Sequence, residues 1–147
     1  MEIERSLRYA HPFTIAYIDI DDFKSINDRL GHAAGDQALC RMVERVAGRL
    51  RKTDLVARLG GDEFAILLPE TDQAAAQAIL ANIHSEIMAG FQAGGWDATI
   101  SIGVLTCQTP PPSADEVIAR VDEVMYSVKH AGKNAIKFSA SCERSEG

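Results

Sequence analysis

Apolar positions along the chain change period several times, and each change marks an element. Residues 13–20 (FTIAYIDI) are β-branched, aromatic and apolar up to Asp19, which predicts a buried central strand with an acid at its end. Residues 21–30 predict a short helix stopped at Gly31. Over residues 33–51, Leu39, Met42, Val43, Val46 and Leu50 recur at steps of three and four, the signature of an amphipathic helix. Two short β-prone runs, 55–59 and 64–68, then flank Gly60, Gly61, Asp62 and Glu63. That is a hairpin with acid at its tip. Its glycines favour a positive-φ turn and let a bulky ligand approach the backbone. On this stretch alone an ordinary solvated hairpin is the alternative.

Further on, Thr71, with Asp72 behind it, is the expected N-cap of a helix with Ile79, Ile83 and Ile87 on its core face, closing over residues 90–95. Residues 96–105 read as a strand, with Thr99, Ser101 and Gly103 alternating. Ser113 and Glu116 form a capping box after a stiff proline run at 110–112. The helix they open carries Val117, Val121, Val124 and Val128 on one face and ends at Gly132. A last strand is expected at 135–138, with 139–147 a flexible polar tail. Before all of these, Ile3 and Leu7 stand at helical spacing and Pro12 ends any helix there. The order β-α-α-β-β-α-β-α-β predicts an α/β (α+β) fold, with a central mixed sheet and helices on at least one face.

Composition narrows the class. With 147 residues, 46% of them hydrophobic and 24% charged, the chain is expected to fold as one globular domain. No apolar run approaches the roughly 18 residues of a membrane span, and the polar start is not a secretory signal, so a cytoplasmic protein without membrane contact is expected. A net charge of −6 argues against a broad grip on nucleic acid. A small phosphate ligand stays open, because it needs only a few local cations and a metal. Cys40, Cys107 and Cys142 are odd in number, far apart and without a C-x-x-C pair, so reduced, mostly buried thiols are expected. His32 reads as a structural hydrogen-bonder, and His11, His84 and His130 as surface residues.

Two acid sites stand out: Asp19 with Asp21 beyond it, and Asp62 with Glu63. If the first strand lies beside the hairpin, both sets meet at one sheet edge, where like charges are costly without a cation. Mg²⁺ suits that setting, since it is commonly held by one or two carboxylates plus substrate phosphates. The strand-to-helix junction after Asp19 offers backbone N–H groups for phosphate oxygens. Lys24 could add a charge there, or stand as a solvated surface lysine.

With those residues in hand, the chain closely resembles the GGDEF domains of diguanylate cyclases. The resemblance runs from about Phe13 to Phe138 and rests on DIDDFKSIND (19–28), GHAAGD (31–36), RLGGDEF (58–64), SIG (101–103) and YSVKHAGKN (126–134). It implies a palm-like nucleotidyl-cyclase fold and the condensation of two GTP into cyclic di-GMP and two pyrophosphates, across a two-fold homodimer. It also implies that Asp19, the carbonyl of Ile20 and Asp62 hold two Mg²⁺ ions, or Mn²⁺ in their place, with Glu63 beside them to activate the ribose 3′-hydroxyl. Asn27 and Asp36 match the guanine-contacting positions, with Leu39 packing near the base and Gly60 and Gly61 admitting the nucleotide. A carboxylate can accept from guanine N1–H and its exocyclic amine together, an edge adenine lacks, which disfavours an ATP cyclase. Asp36 alone could instead be a helix N-cap.

The main chain at Asp22 and Phe23, with Lys129 and Lys133, matches the phosphate-holding groups. Lys133 departs from the usual arginine and loses its bidentate fork. Arg51 and Asp54 match the product-inhibitory R-x-x-D that binds cyclic di-GMP, with a surface ion pair as the alternative reading. Asn82 stands where some members carry a second arginine. Family domains open with D-x-L-T-x-L-x-N-R, which this chain starts too late to contain. A single GGDEF domain shortened at its N-terminus is therefore expected, from a protein with an upstream sensory or regulatory domain. A catalytically weak domain binding GTP or cyclic di-GMP as a regulatory module is the alternative function.

Overall fold

The computed structural model describes residues 12–107 and 113–140. The helix expected at 1–10, the proline run and the end of the expected tail lie outside them. Within them the chain runs β1 (Phe13–Ile20), α1 (Phe23–Leu30), α2 (His32–Ala47), β2 (Leu55–Arg58), β3 (Glu63–Pro69), α3 (Gln73–Ala93), β4 (Ile100–Cys107), α4 (Ala114–His130) and β5 (Ile136–Ser139). This is the expected order.

The strands form one sheet in the order β2-β3-β1-β4-β5. β1 is central and buried along its whole length, antiparallel to β3 and β4, while β4 and β5 are parallel. A strand covered on both faces must be apolar on both, which is why residues 13–18 read as a continuous hydrophobic run. Alternation then sorts β1 between two cores. Ala16, Ile18 and Ile20 join Ile26 of α1, Leu39, Met42 and Val46 of α2, and Leu80, Ile83, Ile87 and Phe91 of α3. Phe13, Ile15 and Tyr17 face the other way, onto Val117, Val121 and Met125 of α4. Asp19, two residues past Tyr17, therefore lies on the α4 face.

Gly103 lets α4 come close. It pairs with Tyr17 in the register, and a Cβ on it would lie 2.8 Å from the backbone nitrogen of Met125. Any side chain there would push α4, and the lysines at its C-terminal end, away from the sheet.

Several boundaries differ from expectation. α2 ends at Ala47 because Gly48 and the turn beyond it take over, leaving Leu50 packed on the core from outside the helix. The N-cap of α3 is Asp72, whose carboxylate accepts the Ala75 N–H at 2.9 Å. Thr71 is buried instead, its hydroxyl donating to the Pro69 carbonyl. Ser113 caps α4 as expected, accepting the Glu116 N–H at 3.2 Å. Strand β4 begins at Ile100, later than expected, and Trp96 serves the core, edge-on to Phe91. Of the expectation of reduced, mostly buried thiols, Cys107 is buried but held in a disulfide, and Cys40 is free but exposed.

Candidate active site

The antiparallel register of β1 and β3 places Asp19 opposite Glu63. Directly opposed residues share a face, so Glu63 also points to the α4 side. Asp62, one residue before β3, is tied to the end of β1 by its carbonyl, which accepts the Ile20 N–H at 3.3 Å. The two acid sites thus converge, as the sequence predicts.

Asp19 is buried, and its two oxygens fare differently. Oδ2 accepts a short hydrogen bond from Lys129 Nζ at the end of α4, while Oδ1 is buried with no hydrogen-bond partner. Burial pushes the Asp19 carboxyl up to about 7; Lys129 pulls it back down and the neighbouring Asp62 raises it. Glu63 is also raised, first by burial, then by Asp122 of α4 and by Asp62. Tyr17, between them and α4, is raised to about 12 by burial, Asp122 and Glu63. Negative charge at this edge exceeds what Lys129 balances.

Among the described residues no three His, Cys, Asp or Glu side chains cluster as a ready-made metal cage. The donors that are present nevertheless fit a divalent cation. A buried carboxylate oxygen without a partner, a second carboxylate close enough to raise its proton affinity, and adjacent main-chain carbonyls suit Mg²⁺, which takes few protein ligands and fills the rest with water and phosphate.

The hairpin tip is held by Arg58, whose guanidinium donates to the carbonyls of Gly60 (3.0 Å) and Gly61 (2.7 Å). The Leu59 N–H closes the turn onto the Glu63 carbonyl at 2.8 Å. Neither glycine takes the positive φ expected of it. A Cβ on either would meet nothing within 4 Å, so what these glycines leave is open approach.

Beside the acids, α1 starts at Asp22, in a left-handed conformation (φ 54°) with no side-chain cap. The first N–H groups of an α-helix have no partner within it, and Lys24 beside them is exposed. Lys133 Nζ meets Asp22 Oδ1 at 3.0 Å, and that contact raises the lysine's pKa.

Asn27 and Asp36 come together where α1 turns into α2. Asn27 Oδ1 is the second buried side-chain atom without a partner, and a Cβ on Gly35 would sit 1.9 Å from it. Only glycine fits there. Asp36 is exposed and four residues inside α2, whose N-cap is Gly31, so the N-cap reading of Asp36 fails. Leu39 is buried and lines an open cleft of about 360 Å³ with Val43, Val56, Arg58 and Phe64.

Arg51 and Asp54 lie apart from this edge, in the loop before β2. The Arg51 guanidinium forks onto Asp54 (Nη2 to Oδ1 2.9 Å, Nε to both oxygens 3.2 Å) and also donates to the Pro69 carbonyl and the Thr71 hydroxyl. The ion pair of the alternative reading is therefore present. Asn82 is exposed on α3.

Sequence reasoning missed how Asp21 is used. Its carboxylate accepts from Ser101, Thr99 and the Asn134 backbone, and so serves the scaffold. Nothing in the sequence pointed to Asp122.

A family model for "Diguanylate cyclase, GGDEF domain" matches residues 1–135. The chain is 37% identical over 130 residues to diguanylate cyclase DgcM of Escherichia coli (strain K12), covering 88% of this chain and 32% of that protein. It is also 37% identical over 145 residues to diguanylate cyclase TpbB of Pseudomonas aeruginosa (strain PAO1), covering 93% and 33%. The chain thus spans about a third of the length of these curated relatives. Among solved structures, the active GGEEF domain of a diguanylate cyclase from Vibrio cholerae superposes with a TM-score of 0.79 at 26% identity, over 93% of this chain and 88% of that one. The GGDEF domain of DgcB from Caulobacter crescentus, solved in complex with c-di-GMP, gives 0.82 at 26%, over 93% and 83%. The mixed five-stranded sheet with its acid-tipped hairpin and the family match agree, and the chain belongs to the GGDEF diguanylate cyclase domain family.

Proposed function

We propose that this domain condenses two GTP molecules into cyclic di-GMP in the cytoplasm, as a two-fold homodimer in which each copy binds one GTP. The observation that carries the reading is the buried, unpartnered oxygen of Asp19 beside Asp62 and Lys129, at the sheet edge where a nucleotide can reach the open Gly60–Gly61 turn. Asp19, the Ile20 carbonyl and Asp62 would hold Mg²⁺, or Mn²⁺ in its place. Bound there, the metal supplies Lewis-acid stabilisation of charge on the phosphoryl oxygens.

The chain's own groups do the rest. Asn27 and Asp36 receive the guanine edge, the orphaned Asn27 Oδ1 gaining a donor from the base, and Leu39 packs near it. The N-terminal N–H groups of α1 at Asp22 and Phe23, with Lys24, Lys129 and Lys133, hold the phosphates. Lys133 grips as a point charge where an arginine would fork. Glu63 accepts the proton of the 3′-hydroxyl, a task its raised proton affinity favours. The O3′ of one GTP forms a bond to the α-phosphorus of the other, the bond to the β-phosphate oxygen breaks, and pyrophosphate leaves. The same step in the other direction closes the ring, so one copy alone cannot finish it. An upstream sensory or regulatory domain in the intact protein would set the pairing. Product returning to Arg51 and Asp54 would restrain it, after Arg51 leaves its present partners.

Incubation with GTP and Mg²⁺, followed by ion-exchange chromatography, tests this. Cyclic di-GMP and pyrophosphate in a 1:2 ratio are expected by stoichiometry. GTP binding without product would instead assign the domain to the regulatory class.

A further inference from the structure

We propose that Asp21 is a positioning residue that sets Lys129 and Lys133 against the N-terminus of α1, and is not a metal ligand. The inference rests on the nucleotide reading above and assigns a use to the one buried acid of that edge which the reading leaves idle.

Asp21 is 3% exposed, and its partner Ser101 stands opposite Asp19 in the register of β1 and β4. Unlike Asp19, it has both oxygens engaged. Oδ1 accepts from Ser101 Oγ at 2.6 Å; Oδ2 accepts from Thr99 Oγ1 at 2.7 Å and from the Asn134 backbone N–H at 3.0 Å. Its own N–H donates to the Thr99 carbonyl at 2.9 Å. One carboxylate therefore joins the end of β1, the entry to β4 and the turn between α4 and β5. An acid so fully used has little left to offer a cation.

That turn is strained. Lys133 (φ 64°) and Asn134 (φ 47°) are both left-handed, and so is Asp22 (φ 54°) on the other side of Asp21. Such residues persist only where their surroundings over-determine them. Here the bonds that do so are the Asn134 N–H on Asp21 and the Lys133 N–H on the Val128 carbonyl at 3.1 Å. The strained turn aims Lys133 Nζ at Asp22, over the start of α1, while Lys129 Nζ stands 3.9 Å from Asp21 Oδ1. Remove the carboxylate altogether, as Asp21→Ala does, and the turn can relax, carrying both ammonium groups off the phosphate site. Asn27 and Asp36 belong to a different junction, between α1 and α2, so the base site keeps its shape.

The consequence is a loss confined to the phosphate end. Calorimetric titration of the 147-residue chain in Mg²⁺ with 3′-deoxy-GTP, which lacks the reacting hydroxyl, and with GMP reads it directly. Asp21→Ala, which removes every acceptor where Asp21→Asn would keep one, should weaken 3′-deoxy-GTP binding by about tenfold, roughly 1.4 kcal/mol, and GMP binding by less than about twofold. Thr99→Val should do the same to a smaller degree, and Thr99→Ser should restore the wild-type ratio. A merely structural role would weaken both nucleotides in parallel as the melting temperature falls, and that result would overturn the proposal. So would unchanged affinities, or a loss that saturating Mg²⁺ repairs, which would make Asp21 a metal ligand. Should Asp21→Ala not fold, the contrast between Thr99→Val and Thr99→Ser decides by the same ratio. A wild-type chain that binds neither nucleotide would instead sink the nucleotide reading itself.

Discussion

The chain carries two acid–base pairs of similar chemistry, Asp19 with Lys129 and Asp54 with Arg51, and completes them to different degrees. Asp54 receives two guanidinium nitrogens and a backbone N–H, and Arg51 spends its remaining hydrogen-bonding reach on Pro69 and Thr71. Asp19 receives one ammonium group, keeps a buried oxygen unpaired and is pushed up to about 7. A buried polar atom without a partner costs about 1–3 kcal/mol, so the Asp19 arrangement is poor for a resting fold and apt for one awaiting a ligand. The Arg51 pair is the reverse. It fastens the loop before β2 to the turn before α3, and any ligand must first compete with those contacts.

Asp19→Asn should separate the two kinds of site most sharply. Cyclic di-GMP formation should fall by about a thousandfold, the scale of a lost transition-state electrostatic contact. The melting temperature of the metal-free protein should not fall, because the change removes an excess charge and keeps the shape. A parallel loss of stability would mean that Asp19 is part of the scaffold. Next in size is Arg51→Ala. It leaves Asp54, whose side chain is 2% exposed, without its countercharge and with only the residue-51 backbone N–H, and denaturant unfolding should show a loss of about 3 kcal/mol. The variant should also lose tight cyclic di-GMP binding while keeping GTP binding. Unchanged stability would show that the pair holds nothing together, and unchanged product affinity would remove Arg51 from the product site.

What the sequence made legible follows the same division. The element order and the meeting of Asp19 with Glu63 could be read because a strand buried on both faces leaves a continuous apolar run, and an acid ending such a run is conspicuous. The N-cap at Asp72 could not be read, because Thr71 and Asp72 are both good caps and the buried demand of Arg51 on the Thr71 hydroxyl decides between them. The use of Asp21 was hidden for a similar reason. Its partners lie about 80 and more than 100 residues away, at distances local pattern does not reach. The hairpin glycines do not take the positive φ expected of them. The turn closes through Arg58 on two carbonyls, so positive φ is not needed.

The smallest expected effect concerns pH. Asp19 is held up to about 7, above the usual carboxylate value of 3.8, first by burial and then by Asp62. The folded state therefore binds this proton more tightly than the unfolded chain does. Its contribution to stability is fully present below the unfolded value and is lost as pH rises through about 7. Metal-free protein should accordingly lose stability between about pH 4 and 7. Asp19→Asn, with no proton to release, should show a flatter profile over that window. Arg51→Ala should leave the slope as it is in the wild type, since the Arg51 guanidinium, held above its ordinary value by Asp54, does not titrate in this range. Chemical unfolding in EDTA at a series of pH values measures all three. A wild-type profile as flat as that of Asp19→Asn would mean that Lys129 already satisfies Asp19, and the contrast between the unfinished and the finished pair would disappear.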